Sequence, residues 1–303
     1  MIQFQRPDLS RRSEYEHIFH NDARRGCEYS LANRYMWGKQ EIAVKDGCLM
    51  GFSQYQGKSV YPFPAGTGDV RSAVDDLMQD ARERGIPCRL TSLVREDVDM
   101  LESWYPGKFT FHSERDNFDY VYDIQKLAEL KGRKYQQKRN HVHRFRDAVP
   151  EARVVSVEET TMPAVRAMVR QWYADREKAV PDMDFGPEKE AISRAMDHFD
   201  ELGLVGILLM DGDTPVAVTM GSFLSPTIFD VHFEKAREDI PGAYAAINQE
   251  FSRYLHEKYP DLLFLNREDD LGIEGLRRAK LSYSPEYMVE KYRAYPKEDA
   301  YEN

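Results

Sequence analysis

The chain has 303 residues, 42% of them hydrophobic, and carries a net charge of -10 with a pI of about 5.4. That length suits two ordinary domains better than one, and the acidic balance excludes a protein that coats nucleic acid non-specifically, so any contact with phosphate must be local. Mean hydropathy is -0.66, no apolar run approaches the roughly 18 residues of a membrane helix, and Met1 to Arg12 has no apolar signal-peptide core. The expectation is a cytoplasmic protein with no integral membrane segment.

From the N-terminus, Ile42–Lys45 is a short β-like run closed by the turn pair Asp46-Gly47. Cys48–Tyr55 and Ser59–Phe63 follow as strands. A Gly-containing loop, Ala65–Asp69, leads into an amphipathic helix over Val70–Arg84, whose apolar residues recur at helical spacing. Gly85 suits the left-handed position that ends it. Pro87–Leu93 is the next strand. A short helix and strands near Lys108–His112 and Phe118–Tyr122 complete a first unit.

The middle of the chain reads as largely helical. Ile124–Leu130 ends at Gly132, Lys134–Ala148 stops near Pro150, and Arg153–Val157 is a strand. Thr161-Met162-Pro163 is a helix start with proline in the first turn. Val180–Pro187 reads as a loop.

The earlier order then returns. Val205–Met210 is a strand closed by Asp211-Gly212, followed by strands Thr214–Phe223 and Thr227–Phe233. A loop with Gly242 precedes a helix over Ala243–Lys258. Leu262–Leu265 is a short buried strand, Gly272–Lys280 a helix and Tyr287–Tyr292 a strand. Strands joined by Asp-Gly turns are antiparallel neighbours, and a strand–helix–strand succession implies a parallel crossover. The expected fold is α/β (α+β), two tandem modules with mixed, mostly antiparallel sheets flanked by helices. The modules are placed at residues 1–133 and 134–303.

Three places could carry chemistry. The run Lys131–Arg146 holds Lys131, Arg133, Lys134, Lys138, Arg139, Arg144 and Arg146, with His141 and His143 and no acidic residue. A one-signed helix lacks the usual i,i+4 compensation. It reads as a docking site for a polyanion such as a tRNA acceptor stem, a nucleotide pyrophosphate or a lipid headgroup. The plainer alternative is a solvated face paired with acidic neighbours.

The second place is Leu265–Ser284. A buried strand ends at Asn266, and Arg267, Glu268, Asp269 and Asp270 follow at once. Loops beyond strand ends are where α/β folds bind ligands. Glu268 or Asp269 is a candidate general base, Asn266 a candidate orienting group, and Arg277 and Lys280 candidate donor contacts. The plainer alternative is acids set at a helix start by its dipole.

The third is the loop at Gly242-Ala243-Tyr244, where small residues let backbone N–H groups approach a phosphate or thioester at a helix N-terminus. Asp230, His232 and Glu234 alternate along one strand and share a face. His232 is either a proton-transfer group or an ordinary surface-strand histidine. Cys27, Cys48 and Cys88 have no CxxC spacing, so neither a disulfide framework nor a metal site is expected. No P-loop, G-x-G-x-x-G or G-x-S-x-G motif is present, which removes kinase, NTPase and dinucleotide readings.

Asp119-Tyr120-Val121-Tyr122, the basic helix with Lys138-Arg139-Asn140, and Asn266-Arg267-Glu268-Asp269 through Gly272, Gly275-Leu276-Arg277 and Lys280 resemble the phosphatidylglycerol lysyltransferase C-terminal-like family over nearly the whole chain. That family is similar in fold to tandem GNAT proteins, including the Fem peptidyltransferases. The resemblance implies aminoacyl transfer from aminoacyl-tRNA to an amine or hydroxyl acceptor on a lipid or peptide. It places the active site in the second module, Lys134–Tyr295, and tRNA on a basic surface. No cofactor is required. Lys138, Arg139 and Arg144 would hold the donor's phosphates. The transmembrane region of the lipid enzymes is missing here, so a soluble acceptor stands equal to a lipid one. Gly242-Ala243-Tyr244-Ala245 stands where acetyl-CoA enzymes have a denser glycine pattern. Two alternatives remain: an acetyl-CoA-dependent N-acyltransferase, and an inactive module that binds RNA or peptide.

Overall fold

The structure, a computed structural model, describes residues 1–20, 26–37, 40–55 and 57–297; the end of the expected second module, 298–303, lies outside them. In the first half, helices α1 (Arg12–His20) and α2 (Leu31–Met36) precede β1 (Gln40–Lys45), β2 (Cys48–Tyr55), β3 (Lys58–Pro62) and the two-residue β4 (Ala65–Gly66). Then come α3 (Val70–Arg84), β5 (Leu90–Leu93), α4 (Arg95–Trp104), β6 (Phe109–Ser113) and β7 (Asp119–Asp123). The turn between β1 and β2 has positive φ at both Asp46 and Gly47, the conformation an Asp-Gly hairpin turn needs. Helix α3 starts where the Asp69 side chain accepts a hydrogen bond from Ser72 N at 3.0 Å and ends at Gly85 in the left-handed region.

The middle of the chain forms α5 (Ile124–Glu129), α6 (Gln136–Ala148), β8 (Arg153–Ser156), α7 (Met162–Ala179) and α8 (Gly186–Asp197). The expected loop at Val180–Pro187 ends sooner than its prolines suggest, because Pro187 occupies the first turn of α8, where its missing N–H costs nothing. The rest is β9 (Val205–Asp211), β10 (Thr214–Ser225), β11 (Ile228–Ala236), α9 (Ala243–Lys258), β12 (Phe264–Asn266), α10 (Glu274–Leu281), β13 (Tyr287–Val289) and β14 (Tyr292–Pro296).

The two sheets repeat one plan. The first runs β1-β2-β3-β5-β14-β6, with β4 beside β2; the second runs β13-β7-β12-β11-β10-β9-β8. In the first, β3 and β5 pair in parallel across the α3 crossover. In the second, β11 and β12 pair in parallel across the α9 crossover. The antiparallel series β1-β2-β3 matches β9-β10-β11. The expected mixed α/β architecture of two modules is therefore the observed one.

One feature of the topology departs from the expected order. The strand at Phe118–Tyr122 does not complete the first sheet. As β7 it pairs with β12 in the second, while β14 from the end of the chain lies between β5 and β6 in the first. Each sheet thus takes its last strand from the opposite half of the chain. The single strand expected at Tyr287–Tyr292 is correspondingly two, β13 and β14, in different sheets. The break falls at Glu290 and Lys291, where the Lys291 side chain turns into a buried polar cluster.

The compact units follow this exchange and not a single cut at residue 133. Unit 1 comprises Met1–Asp119, Glu268–Glu274 and Met288–Asn303; unit 2 comprises Tyr120–Arg267 and Gly275–Tyr287. The core of unit 1 gathers Tyr61, Phe63, Leu77, Leu90, Leu101 and, from β14, Ala294. In unit 2, α9 buries Ile247, Phe251 and Leu255, with Phe251 edge-on to Phe229 of β11 at 5.6 Å.

Candidate active site

Unit 2 collects polar side chains from several elements around one tyrosine. Asn266 ends β12, is 1% exposed and pairs in register with Asp230 of β11 and Val121 of β7. The next residue, Arg267, donates from Nη2 to Glu234 Oε1 of β11 at 2.9 Å. Asn248 of α9 donates from Nδ2 to the other Glu234 oxygen at 3.3 Å. The Arg267 guanidinium packs over Tyr283 at 5.1 Å and over Tyr122 at 5.7 Å. Lys138 of α6 reaches the same Tyr283 ring, with Nζ 3.7 Å from its centroid. Burial, and then the charge of Arg267, pull the Lys138 ammonium down to about 8 against the opposing pull of Glu234.

His232 is not the surface-strand histidine that alternation suggests. It is 8% exposed on β11, with Nε2 2.9 Å from Ser222 Oγ and Nδ1 3.5 Å from Asp230 Oδ2. The face shared by Asp230, His232 and Glu234 is an interior one. Polar residues on a buried strand face need partners: His232 has Ser222 and lies against Asp230, and Glu234 has Arg267 and Asn248.

The basic helix divides into two groups of cations. Lys131 pairs with Glu129 at 3.1 Å, and Arg146 lies 3.5 Å from Glu250. Arg139 donates to the carbonyls of Leu130 and Gly132, so it ties down the left-handed end of α5. The exposed Arg133, Lys134 and Arg144 make no ion pair among the described residues, and Lys134 lies over the Tyr135 ring at 5.0 Å. The helix is held by its Val142 and Phe145 face, and Val142 shares a small core with Leu130, Tyr135 and Ala245.

Gly242 has φ 80° at the start of α9, and a Cβ there would meet His141 O at 1.9 Å. The close approach that this glycine allows is filled by the backbone of α6. Ala243 is buried, and Tyr244 accepts a hydrogen bond from Trp172 Nε1 at 2.8 Å. On α10, Arg277 is half-buried, while Lys280 is buried and donates to Arg267 O at 2.6 Å. Lys280 therefore fixes the backbone of the residue that binds Glu234.

The acidic loop belongs to unit 1. Lys291, 6% exposed, lies 2.6 Å from Asp119 Oδ1 and 2.9 Å from Glu28 Oε1, and its Nζ donates to Cys27 Sγ at 3.4 Å. Cys27 N donates to Asp119 Oδ2 at 2.8 Å. A Cβ on Gly26 would meet the Glu28 carboxylate and the Lys291 side chain, both at 2.7 Å, so a larger residue there would push on the ends of those two side chains. Glu268 has φ 55° and accepts from Asn33 Nδ2 at 3.4 Å. Burial pushes the Asp269 carboxyl up to about 7 against the pull of Lys291, and Asp119, Glu268 and Glu28 add to the push. A carboxyl near neutrality beside a fixed ammonium is suited to taking and returning a proton.

Cys27, Glu28 and Asp119 lie close enough together to hold a cation, but Lys291 already fills that role. A cavity of about 510 Å³ in unit 1 is lined by Met1, Val44, Asp76, Asp80 and Glu83 among others and includes none of these residues; the chemistry follows the charged clusters instead.

Sequence reasoning missed Lys291, Glu28 and Asn248, which carry no motif. Glu234 was signalled by polar residues alternating on an apolar strand. Asp119 and Arg267 were signalled by their place in the motifs that carry the family resemblance.

Comparison with known proteins gives these clusters a context. The model of the family described as phosphatidylglycerol lysyltransferase, C-terminal, matches residues 21–295. The chain belongs to this family. A crystal structure of a conserved protein of unknown function from Bacteroides thetaiotaomicron is 34% identical, with a TM-score of 0.92 over 98% of this chain and all of that one. The structure of L-PGS from Bacillus licheniformis is 13% identical, with a TM-score of 0.70 over 98% of this chain and 94% of that one. FemX is 8% identical, with a TM-score of 0.60 over 97% of both chains. The last two likenesses are likenesses of fold. An uncharacterized protein of Mycoplasmoides gallisepticum is 23% identical over 208 residues, which is 67% of this chain and 65% of that protein's length. No helix among the described residues is long and apolar enough to cross a membrane.

Proposed function

We propose that this protein transfers an aminoacyl group from aminoacyl-tRNA to an amine or hydroxyl acceptor. The observation that carries the reading is Asp269. It lies in the motif Asn266–Asp270 that marks the family resemblance, and burial holds its carboxyl at about 7. In the proposed reaction the acceptor N–H or O–H gives its proton to the Asp269 carboxylate. The acceptor atom attacks the ester carbonyl, and the tetrahedral intermediate collapses with the tRNA terminal hydroxyl as leaving group. That hydroxyl takes up the proton as it departs, so Asp269 ends as it began. No covalent enzyme intermediate and no cofactor is called for.

Exposed Arg133, Lys134 and Arg144, free of ion pairs among the described residues, would receive the tRNA backbone, each adding to a salt-dependent affinity. The acyl-CoA alternative has less support, because the backbone of α6 fills the space that Gly242 leaves. The acceptor is a lipid headgroup or a soluble amine. The test is lysyl-tRNA labelled in its lysyl group, incubated with phosphatidylglycerol vesicles or with a dipeptide. Acceptor-dependent loss of label from tRNA that Asp269→Asn reduces about 100-fold supports the reading. Label retained on tRNA with every acceptor and every aminoacyl-tRNA, beside acyl transfer from acetyl-CoA, would replace it.

A further inference from the structure

Cys27 is set apart from the other cysteines of unit 1. Cys48 and Cys88 lie in its apolar core. Cys27 is also buried, at 5% exposure, but its sulfur lies among charged groups. Lys291 Nζ is 3.4 Å from Sγ, and Sγ is 3.6 Å from Asp119 Oδ1. Lys291 Nζ is 2.6 Å from that same Asp119 oxygen. A sulfur, an amine and a carboxylate oxygen are thus in mutual reach, brought together from segments far apart in sequence. Gly26 leaves room for the Lys291 stem beside them, since a Cβ there would meet Lys291 Cε at 2.7 Å. The proposed transfer works through Asp269 and gives the Cys27 sulfur no task.

Burial, and then the charge of Asp119, raise the Cys27 thiol well above its ordinary range. Oxidation of this sulfur therefore needs an acceptor for its proton, and Asp119 Oδ1 is placed to be one. The first product of thiol oxidation, a sulfenic acid, condenses with a nitrogen in reach, and Lys291 Nζ is in reach. The ammonium must lose a proton before it can attack, and its loss alone would strand the buried Asp119 carboxylate. When Asp119 takes that proton, the two charges are neutralised together, and neither is left bare in the interior. Glu28, the other carboxylate on Lys291, is partly exposed.

We propose that Cys27 and Lys291 form an oxidative modification site, at which hydrogen peroxide joins the two side chains by a reversible sulfur–nitrogen bond. In the first step Sγ attacks one oxygen of the peroxide and the O–O bond breaks. The thiol proton passes through Asp119 to the departing hydroxide, which leaves water and a Cys27 sulfenic acid. In the second step Lys291 gives one proton to Asp119 and its nitrogen attacks Sγ. The S–O bond breaks, and the hydroxide takes a second proton from the nitrogen and departs as water. The sulfur is oxidised by two electrons and the peroxide is reduced by two; a dithiol reverses the bond and is itself oxidised to a disulfide. The charge of Lys291 draws the Asp269 carboxyl down. Its loss pushes that carboxyl higher, so fewer chains hold it ionised at neutral pH and transfer slows. That consequence rests on the transfer reading above; the bond itself does not.

The test maps the bond in the full chain. The protein is treated with hydrogen peroxide until the exposed Met183 is converted to its sulfoxide, then digested with trypsin and analysed by mass spectrometry. The expected product joins residues 26–34 to residues 281–293, uncut after Lys291, and is lighter by two hydrogens than its two parts. Dithiothreitol returns the separate peptides. Cys27→Ser abolishes the joined peptide. Lys291→Arg, which keeps the positive charge, also abolishes it and lets Cys27 pass on to the sulfinic acid. Cys48 and Cys88 remain thiols. Cys27 found as a thiol or a sulfinic acid in the treated parent, with normal cleavage after Lys291, overturns the proposal. A joined peptide that keeps one oxygen overturns the direct sulfur–nitrogen bond. A protein that forms the bond but transfers nothing, before or after dithiothreitol, loses the transfer reading alone. A protein that transfers and forms no bond loses this inference alone.

Discussion

The two units repeat an order of strands and bury opposite charge imbalances. In unit 1 Lys291 faces Asp119 and Glu28, and the Asp269 carboxyl, raised by burial to about 7, is drawn down by Lys291. In unit 2 the Glu234 carboxylate serves Arg267 and Asn248, and Lys138 makes no ion pair among the described residues. In the reading proposed above, the first cluster holds a proton on Asp269. The two sheets share one plan, and the units differ in the polar groups each buries.

The comparison can be broken at the frames or at the charges. The largest effect should come from cutting the chain at residue 133. Because β7 and β14 exchange sheets, neither 1–133 nor 134–303 alone should unfold cooperatively in urea, whereas the two pieces together should; two independently folding halves would show that the exchange is dispensable. Next is Lys291→Met, which strands buried carboxylates and should cost about 3–5 kcal/mol in chemical denaturation. If Lys291→Met is neutral, the acidic cluster is not held by that lysine. Replacing Arg133, Lys134 and Arg144 together by Ala should weaken tRNA binding about tenfold near physiological salt and flatten its salt dependence, leaving the melting temperature unchanged. The smallest effect is Arg139→Ala. It should cost about 1 kcal/mol of stability through two lost carbonyl contacts and leave tRNA affinity alone, which separates the cations that dock from the one that braces.

Much of the frame was legible from local pattern. The apolar spacing marked α3 at its observed bounds, the Gly242 loop marked the start of α9, and the Asp-Gly turn gave the first hairpin, because these depend on residues near one another in sequence. The exchange of β7 and β14 was not legible: a strand's period tells which face is buried but not which sheet receives it. Site residues divided in the same way. Asn266 through Asp269 follow a strand end and could be singled out. His232 looked like a surface residue because its partners Ser222 and Asp230 matter only once β10 and β11 are paired. Arg139 looked like Arg144 in the sequence, and only the left-handed turn at Leu130 separates a brace from a docking cation. Lys291 had no local signal, since its partners lie in segments far along the chain.

The pH dependence of transfer by the parent and by Asp269→Asn tests the central claim most directly. A carboxyl raised by burial is ionised, and able to accept a proton, only above its shifted value. The same shift means that the folded state binds the proton more tightly than the unfolded chain, so Asp269's contribution to stability is full below about 4 and is lost as pH rises through about 7. Activity and this stability term should therefore run in opposite directions over one window. Single-turnover transfer from lysyl-tRNA by the parent should rise to a plateau with an apparent pKa of about 7, while Asp269→Asn should be slow and flat across the same range. An unchanged profile in Asp269→Asn would contradict the assignment of Asp269 as the base.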